Sequence, residues 1–136
     1  MKKKFSVTFS RLKPKNIPYF FLNLVLHIIH LSIIGFFLFA WIIPEYRGLH
    51  LILSFSIFFS WFGLGLFYGF GYCLVTDLQW KLKKESGYDP ETPYYIKYIA
   101  DKTTGANINS KLSNMATTYT FFVISILSIV LFYIQP

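Results

Sequence analysis

The sequence has few of the residues on which most catalytic and metal sites depend. Its 136 residues include one cysteine, three histidines and six acidic residues. The single cysteine, Cys73, allows neither an internal disulfide nor a cysteine-based metal cluster. The sequence also has no phosphate-binding loop, no nucleophile beside a base and an orienting group, and no cluster with metal-ligand spacing. We therefore predict no catalytic, cofactor-binding or metal-binding residues and no cofactor.

Charged residues are scarce as well, at 14% of the chain, whereas hydrophobic residues make up 54% and aromatic residues 21%. This composition is too apolar for an ordinary soluble domain and predicts a small polytopic membrane protein. The formal net charge of +7 would suggest nucleic acid as the partner of a soluble protein. Here the basic residues flank apolar runs, where they set orientation and contact anionic lipid. We therefore expect anionic lipids as partners and no nucleic acid.

Apolar runs divide the chain into three predicted transmembrane helices. The 24 residues from Leu49 to Tyr72 carry no charge, and at about 1.5 Å of rise each they exceed the roughly 30 Å of a bilayer core. Two other apolar runs flank this one, so the predicted fold class is an all-α integral membrane protein. The predicted segments are a basic arm (1–16), a first span (17–43), an exterior turn (44–48), a second span (49–72), a cytoplasmic loop with short interfacial helices (73–114) and a third span (115–134).

Basic residues predict the orientation. Twelve of the 13 lysines and arginines lie on the arm or the long loop, and one, Arg47, lies in the short turn. The positive-inside rule then places the N-terminus in the cytoplasm and the C-terminus outside, in a bacterial inner membrane. A signal peptide is the competing interpretation of the first run. That run is too long for a signal peptide and has no small-x-small cleavage site near its end, which favours a retained span.

A polar stripe interrupts the first predicted span. Asn23, His27 and His30 are spaced i, i+4 and i+7 and therefore share one helical face. One interpretation is a ligand or proton site, because ionisable groups inside a membrane are functional candidates. The other, which we favour, is a polar seam that joins helices. The predicted depths place His50 and Cys73 at opposite membrane surfaces, so neither shares a metal site with His30 in one subunit.

Two pairs of small residues in the second predicted span have the four-residue spacing of helix interfaces: Ser56 with Ser60, and Gly65 with Gly69. We expect these pairs to pack against another helix. The spacing does not choose between a span of the same chain, which is the simpler alternative, and another protein or a second copy.

The long loop contains its own helix signals. Cys73, Thr76 and Asp77 form a predicted cytoplasmic turn in which Thr76-x-x-Gln79 is a capping box that would start a short helix. Gly87 is its predicted stop, and lysines opposite a leucine stripe predict that this helix lies on the anionic leaflet. A second short helix is predicted over 94–102 and ends before Gly105, and Ser113 or Asn114 is expected to cap the third span.

The order of these features resembles a known family. The features are a histidine in the first span, His50-Leu51 at the start of the second, a glycine and aromatic run, Cys73-x-x-Thr76-Asp77, Tyr95-Ile96-Lys97-Tyr98, and Asp101-Lys102-Thr103-Thr104-Gly105 with Asn107-Ile108-Asn109. They resemble short bacterial integral membrane proteins known only as a domain of unknown function, in particular the members found in Bacteroidota. The resemblance implies architecture and membrane localisation and implies no activity.

Two classes of function are open at this point. The favoured one is a non-catalytic accessory subunit that binds a larger envelope or membrane complex through its glycine face and its loop. The alternative is a membrane enzyme or carrier that binds a lipid or quinone through Asn23, His27 and His30. We expect a membrane-protein partner or a homo-oligomer in the first case.

Overall fold

The computed structural model describes residues 17–85 and 92–135, and within these ranges the chain is helical and has no strand. Three helical stretches are long and apolar enough to cross a membrane. The predicted fold class is confirmed. The basic arm (1–16) and the predicted stop at Gly87 lie outside the described residues. The three stretches are the first span, Pro18–Ile42, the second span, Pro44–Tyr68, and the third span, Ser110–Ile134.

The first span consists of helix α1, Ile17–Phe39, and a 3-10 turn, Ala40–Ile42. A second 3-10 turn, Pro44–Tyr46, leads directly into α2. Pro44 suits the first position of this turn, because its missing N–H would have no partner there in any case. The predicted exterior turn is therefore largely helical, and it reverses the chain within a few residues.

The second span changes its helical type along its length. It comprises α2, Arg47–Phe58, a π-helical segment, Phe59–Leu64, and α3, Gly65–Tyr68. It ends before Gly69, whose φ of +105° only glycine adopts readily. The chain then folds back onto the π segment, where Ser60 Oγ donates to the Tyr72 carbonyl at 2.9 Å. The helix is therefore four residues shorter at this end than the predicted span, which extended to Tyr72.

Two short helices follow, α4 (Leu74–Glu85) and α5 (Tyr95–Thr104). The capping-box prediction is wrong, because α4 begins two residues before Thr76 and buries both Thr76 and Gln79. The predicted end of the second helix is confirmed: Gly105, at φ +69°, donates its N–H to the Asp101 carbonyl.

Helix α6, Ser110–Ile134, forms the third span and begins five residues before the predicted Met115. Its cap is Asn109, whose side-chain oxygen accepts from the N–H groups of Lys111, at 2.9 Å, and Leu112, at 3.3 Å. The predicted caps, Ser113 and Asn114, lie inside the helix. An asparagine accepts these otherwise unpaired N–H groups as well as a serine does.

The helices pack as a three-span bundle with α4 and α5 against one part of it. Helix α2 contacts both α1 and α6, α4 runs along α1, and α5 contacts α6. A small aromatic core of Trp80, Tyr95 and Tyr98 joins α4 to α5, with Ile34 of α1 packed against it. This packing brings the polar stripe of α1 to the two short helices.

Candidate functional site

The predicted polar stripe faces α4 and α5 and not another spanning helix. Gln79 of α4 and Tyr95 of α5 contact its side chains, and we call these five residues the His30 cluster: Asn23, His27, His30, Gln79 and Tyr95. All five come together because the chain reverses at Gly69 and returns along α1. The partners of the stripe are thus side chains of the two short helices.

Hydrogen bonds define the orientation of the Gln79 side chain. Its Nε2 donates to Asn23 Oδ1 at 3.2 Å and pairs with His27 Nδ1 at 3.3 Å. An amide nitrogen only donates, so His27 Nδ1 is an acceptor and the proton of its neutral ring is on Nε2. Tyr95 Oη therefore also donates to His27 Nδ1, at 2.9 Å. Both amide hydrogens of Gln79 are thus in use, which leaves its Oε1 as an acceptor.

Two buried polar atoms in the cluster are unpaired. Neither Gln79 Oε1 nor His30 Nδ1 has a hydrogen-bond partner among the described residues. Gln79 is fully buried and His30 is 7% exposed. The Gln79 carboxamide lies close enough to act on the His30 ring, but the geometry of a hydrogen bond is not met. Buried polar atoms in proteins are normally paired, so two orphans at one junction call for a physical explanation.

Aromatic rings surround these atoms. The His30 ring stacks on the Tyr95 ring with centroids 3.6 Å apart and planes 21° apart. Trp80 lies beside Tyr95, and its indole N–H donates to the Thr92 carbonyl at 2.8 Å, which ties the start of α5 to α4. Burial raises the pKa of Tyr95 to about 12, so this phenol keeps its proton as a donor to His27 at neutral pH.

A buried lysine lies next to this aromatic core. Lys83 Nζ donates to the Tyr98 hydroxyl and lies 3.8 Å from the centroid of the Tyr98 ring and 5.0 Å from that of Trp80. Burial lowers the pKa of Lys83. Burial alone would raise the pKa of Tyr98, but hydrogen bonds from Lys102 and Lys83 outweigh it and lower that pKa. The two groups thus form a polarised ammonium and phenol pair beside the His30 cluster.

The third histidine belongs to a separate cluster. His50 is fully buried among α1, α2 and α6. Its Nε2 donates to the Phe37 carbonyl at 2.8 Å, and its Nδ1 accepts from Ser128 Oγ at 2.9 Å. Phe37 lies in the last turn of α1, where α-helical bonding leaves carbonyl groups unpaired. We call this group the His50 cluster: Phe37, His50, Ser54 and Ser128. Both ring nitrogens are paired, so the cluster is complete.

Arg47 is also paired, and its partners are carbonyl groups at helix ends. Its guanidinium donates from Nε to the Trp41 carbonyl and from Nη1 to the Gln135 carbonyl, both at 3.2 Å. Gln135 follows the last residue of α6. A buried cation therefore pairs with carbonyls at the C-terminal ends of the first and third spans, where the helix dipole favours positive charge.

Three of the four predicted packing residues contact the second span itself or the reversal that follows it. Gly65 lies beside the backbone of Phe70 and Gly69 faces open space, so both belong to the chain reversal. Ser60 bonds to Tyr72, and the Ser56 hydroxyl donates to its own helix at Ile52. Ser56 also lines a shallow groove between α1 and α2. Packing of these residues against another protein stays a prediction.

The predicted turn residues occupy different environments. Cys73 is half-buried just before α4, and Thr76 is buried inside its first turn. Asp77 Oδ2 accepts from Tyr72 Oη at 3.0 Å and pairs with Lys81 at 2.8 Å. The hydrogen bond from Lys81 lowers the pKa of Asp77 despite partial burial. Asp77 thus links the reversal to α4 and does not contact the His30 cluster.

No group of three or more His, Cys, Asp or Glu side chains within 17–85 and 92–135 has an arrangement that could hold a metal ion. The residues that sequence reasoning missed are Gln79 and Tyr95 of the His30 cluster and Phe37 and Ser54 of the His50 cluster. Gln79 was interpreted as part of a capping box. The one signal in the sequence is the position of Gln79 next to leucines on an amphipathic helix. This position indicates that Gln79 faces inward, but it does not indicate which helix Gln79 contacts.

The family comparison covers both clusters. The family described as "Protein of Unknown function (DUF2784)" matches residues 20–134. The chain belongs to this family. No curated protein and no solved structure matches the chain. The matched region contains every residue of the His30 and His50 clusters.

Proposed function

We propose that this DUF2784 protein holds the polar end of an amphiphilic membrane molecule, a lipid or a quinone, at the His30 cluster. The observation that carries the proposal is the pair of buried orphan atoms, His30 Nδ1 and Gln79 Oε1. Leaving one buried polar atom unpaired costs about 1–3 kcal/mol. Such a cost is accepted at functional sites more often than in purely structural contacts, since a ligand can supply the missing partners.

The surroundings suit a molecule with a polar end and an apolar remainder. Tyr95, Trp80 and Ile34 provide apolar contact surface next to the two orphan atoms. On α1, Ile29 and Leu31 flank His30 and are exposed, so an apolar chain leaving the cluster would run into lipid. Holding a molecule in this way needs no reactive group, and we propose binding without catalysis.

The test is purification of the chain from its native membrane in mild detergent, followed by mass spectrometry of the extracted small molecules. A stoichiometric lipid or quinone that is retained by the unaltered protein and lost from H30F and Q79L supports the proposal. The control is S125A, which removes another buried orphan hydroxyl, located on α6. Equal retention by all four proteins, or no retained molecule, contradicts the proposal.

A second candidate function is the accessory subunit of a larger membrane complex. The observation that favours it is the exposure of the second span close to its end, where Leu66 and Phe67 are more than 80% exposed. A stoichiometric larger membrane protein in the same purification supports this candidate, and a homo-oligomer or a monomer without protein partner counts against it.

The proposed setting is a bacterial inner membrane with the N-terminus and the α4–α5 pair on the cytoplasmic side, next to anionic lipid. The basic residues of the arm and the loop are the basis of this proposal. An alkaline phosphatase fused after Pro136 should be active, because that enzyme needs the exterior compartment. An inactive phosphatase fusion, together with an active fusion at the same position to a reporter that works only in the cytoplasm, overturns the orientation.

A further inference from the structure

We infer that the molecule held by the His30 cluster ends in a hydroxyl group, an inference that rests on the function proposed above. The argument starts from Gln79, whose two amide hydrogens are already shared between Asn23 and His27. The remaining atom, Oε1, can only accept. A molecule that pairs with it must therefore bring an O–H or N–H donor.

His30 narrows the choice of donor group on the bound molecule. Its Nδ1 is the second unpaired atom, and in a neutral imidazole this nitrogen either donates or accepts. A hydroxyl oxygen accepts from an Nδ1–H and at the same time donates to Gln79 Oε1. A quinone carbonyl, an ester or a fully ionised phosphate has no hydrogen to donate and would leave Gln79 Oε1 unpaired.

A protonated amine is another possible donor, and charge argues against it. The His30 cluster contains two histidines, two amides and a phenol, and it contains no carboxylate. The ammonium of Lys83, on the next turn of α4, also lies near the cluster and acts electrostatically on His27. A second cation in this partly dehydrated position would be unfavourable, whereas a neutral hydroxyl adds no charge. The class of ligand is therefore a neutral amphiphile with a hydroxyl end, either a hydroquinone or a lipid alcohol.

Insertion of the hydroxyl requires α5 to separate from α1. Both orphan atoms are sealed from solvent, and the Tyr95 ring covers His30. Glycines at positive φ precede α4 and follow α5, namely Gly69, Gly71 and Gly105. Gly105 allows α5 to shift, so that Tyr95 moves off His30 while α4 keeps Gln79 bonded to Asn23 and His27. Pairing of the hydroxyl with Gln79 Oε1 and His30 Nδ1 then makes binding favourable.

The experiment compares matched probes on the full chain in lipid nanodiscs by native mass spectrometry. One pair is a decyl-substituted hydroquinone and its dimethyl ether, and the other is a monoacylglycerol and its dimethyl ether. We expect the hydroxyl form of one pair to bind at least about tenfold more tightly than its ether, since the ether cannot donate to Gln79 Oε1. The pair that shows the preference identifies the source as hydroquinone or lipid alcohol.

Variants separate this inference from the proposed function. Q79L should reduce the ratio of hydroxyl to ether affinity to about one, and S125A should leave it unchanged. H30F keeps an aromatic ring on Tyr95 and should weaken binding of the hydroxyl form. Equal affinity for hydroxyl and ether overturns the hydroxyl inference while leaving amphiphile binding intact. If no probe binds and no native molecule is retained, a bridging water alone satisfies the two atoms and both proposals fail.

Discussion

His50 and His30 are both buried histidines on spanning helices, yet their surroundings differ in completeness. Each ring nitrogen of His50 has a partner, on α1 and on α6. His30 leaves Nδ1 unpaired, and its neighbour Gln79 leaves Oε1 unpaired. One chain thus contains a saturated polar cluster and an unsaturated one. Both histidines are buried, and the difference in the pairing of their ring nitrogens is the basis for proposing ligand binding at His30.

The partners also differ in kind. The His50 cluster joins the three long spans at a point where α1 runs out of its own hydrogen bonds, so its role is to close the bundle. The His30 cluster joins one long span to two short helices that are bounded by glycine connections. A contact between a span and short helices can open without unfolding the bundle. This is the physical reason for placing ligand binding at His30 and not at His50.

The largest expected effect is that of H50L. It leaves the Phe37 carbonyl and the Ser128 hydroxyl without partners between helices, which should cost about 3 kcal/mol or more of unfolding free energy. Thermal unfolding of the detergent-solubilised protein measures the loss. S54A is the matched control, because the Ser54 hydroxyl donates mainly to a carbonyl of its own helix, and it should be nearly neutral. A stable H50L protein would break the distinction between the clusters.

R47M should have the next largest effect. It removes the donors to the Trp41 and Gln135 carbonyls and should cost about 1–3 kcal/mol by the same thermal assay. R47K is the control: lysine keeps the charge, but a single ammonium cannot reach in two directions as a guanidinium does, so it should restore only part of the loss. Full recovery with lysine would mean that charge alone stabilises this end of the bundle.

H30F should change stability by less than about 1 kcal/mol, because it deletes an unpaired atom and retains the stack on Tyr95. The unfolding midpoint should stay the same or rise, while retention of the native amphiphile falls. A combined measurement of thermal unfolding and extracted molecules on one preparation tests both parts. A loss of stability as large as that of H50L would show that His30 has a structural role.

The smallest effect expected is a pH response of α5. The hydrogen bond from Lys97 lowers the pKa of Asp101, and the Ile108 N–H, at 2.8 Å, lowers it further. A carboxyl group whose pKa is lower in the folded state stabilises the fold at pH values above the unfolded pKa of about 3.9. This stabilisation is lost as the pH falls through the folded-state pKa. Below about pH 4, amide hydrogens of α5 and the His30 cluster should therefore exchange faster, relative to those of α2, than they do at neutral pH. The D101N variant should show no such change in the relative rate. Equal acceleration in α2 and α5 would contradict a local effect.

Sequence reasoning was accurate where a pattern depends on neighbours along the chain. Three apolar runs predict three long helices, and Gly105 predicts the end of α5, because both signals act within a few residues. It was inaccurate at Thr76 and Ser113, which are good capping residues but do not mark the starts of α4 and α6. Leu74 to Thr76 continue α4 toward the reversal, and Asn109 caps α6 before Ser113 can, so packing and competing caps decided the boundaries.

The sequence by itself determined the membrane class, the helical fold and the fact that Asn23, His27 and His30 share one face, since these follow from composition and from helical periodicity. Only the tertiary structure decided what that face meets. Gln79 lies 56 residues from Asn23, and Tyr95 lies 68 residues from His27. No local periodicity links positions so far apart. The reversal at Gly69 brings them together, and the number of hydrogens on each side chain determines which atoms remain unpaired.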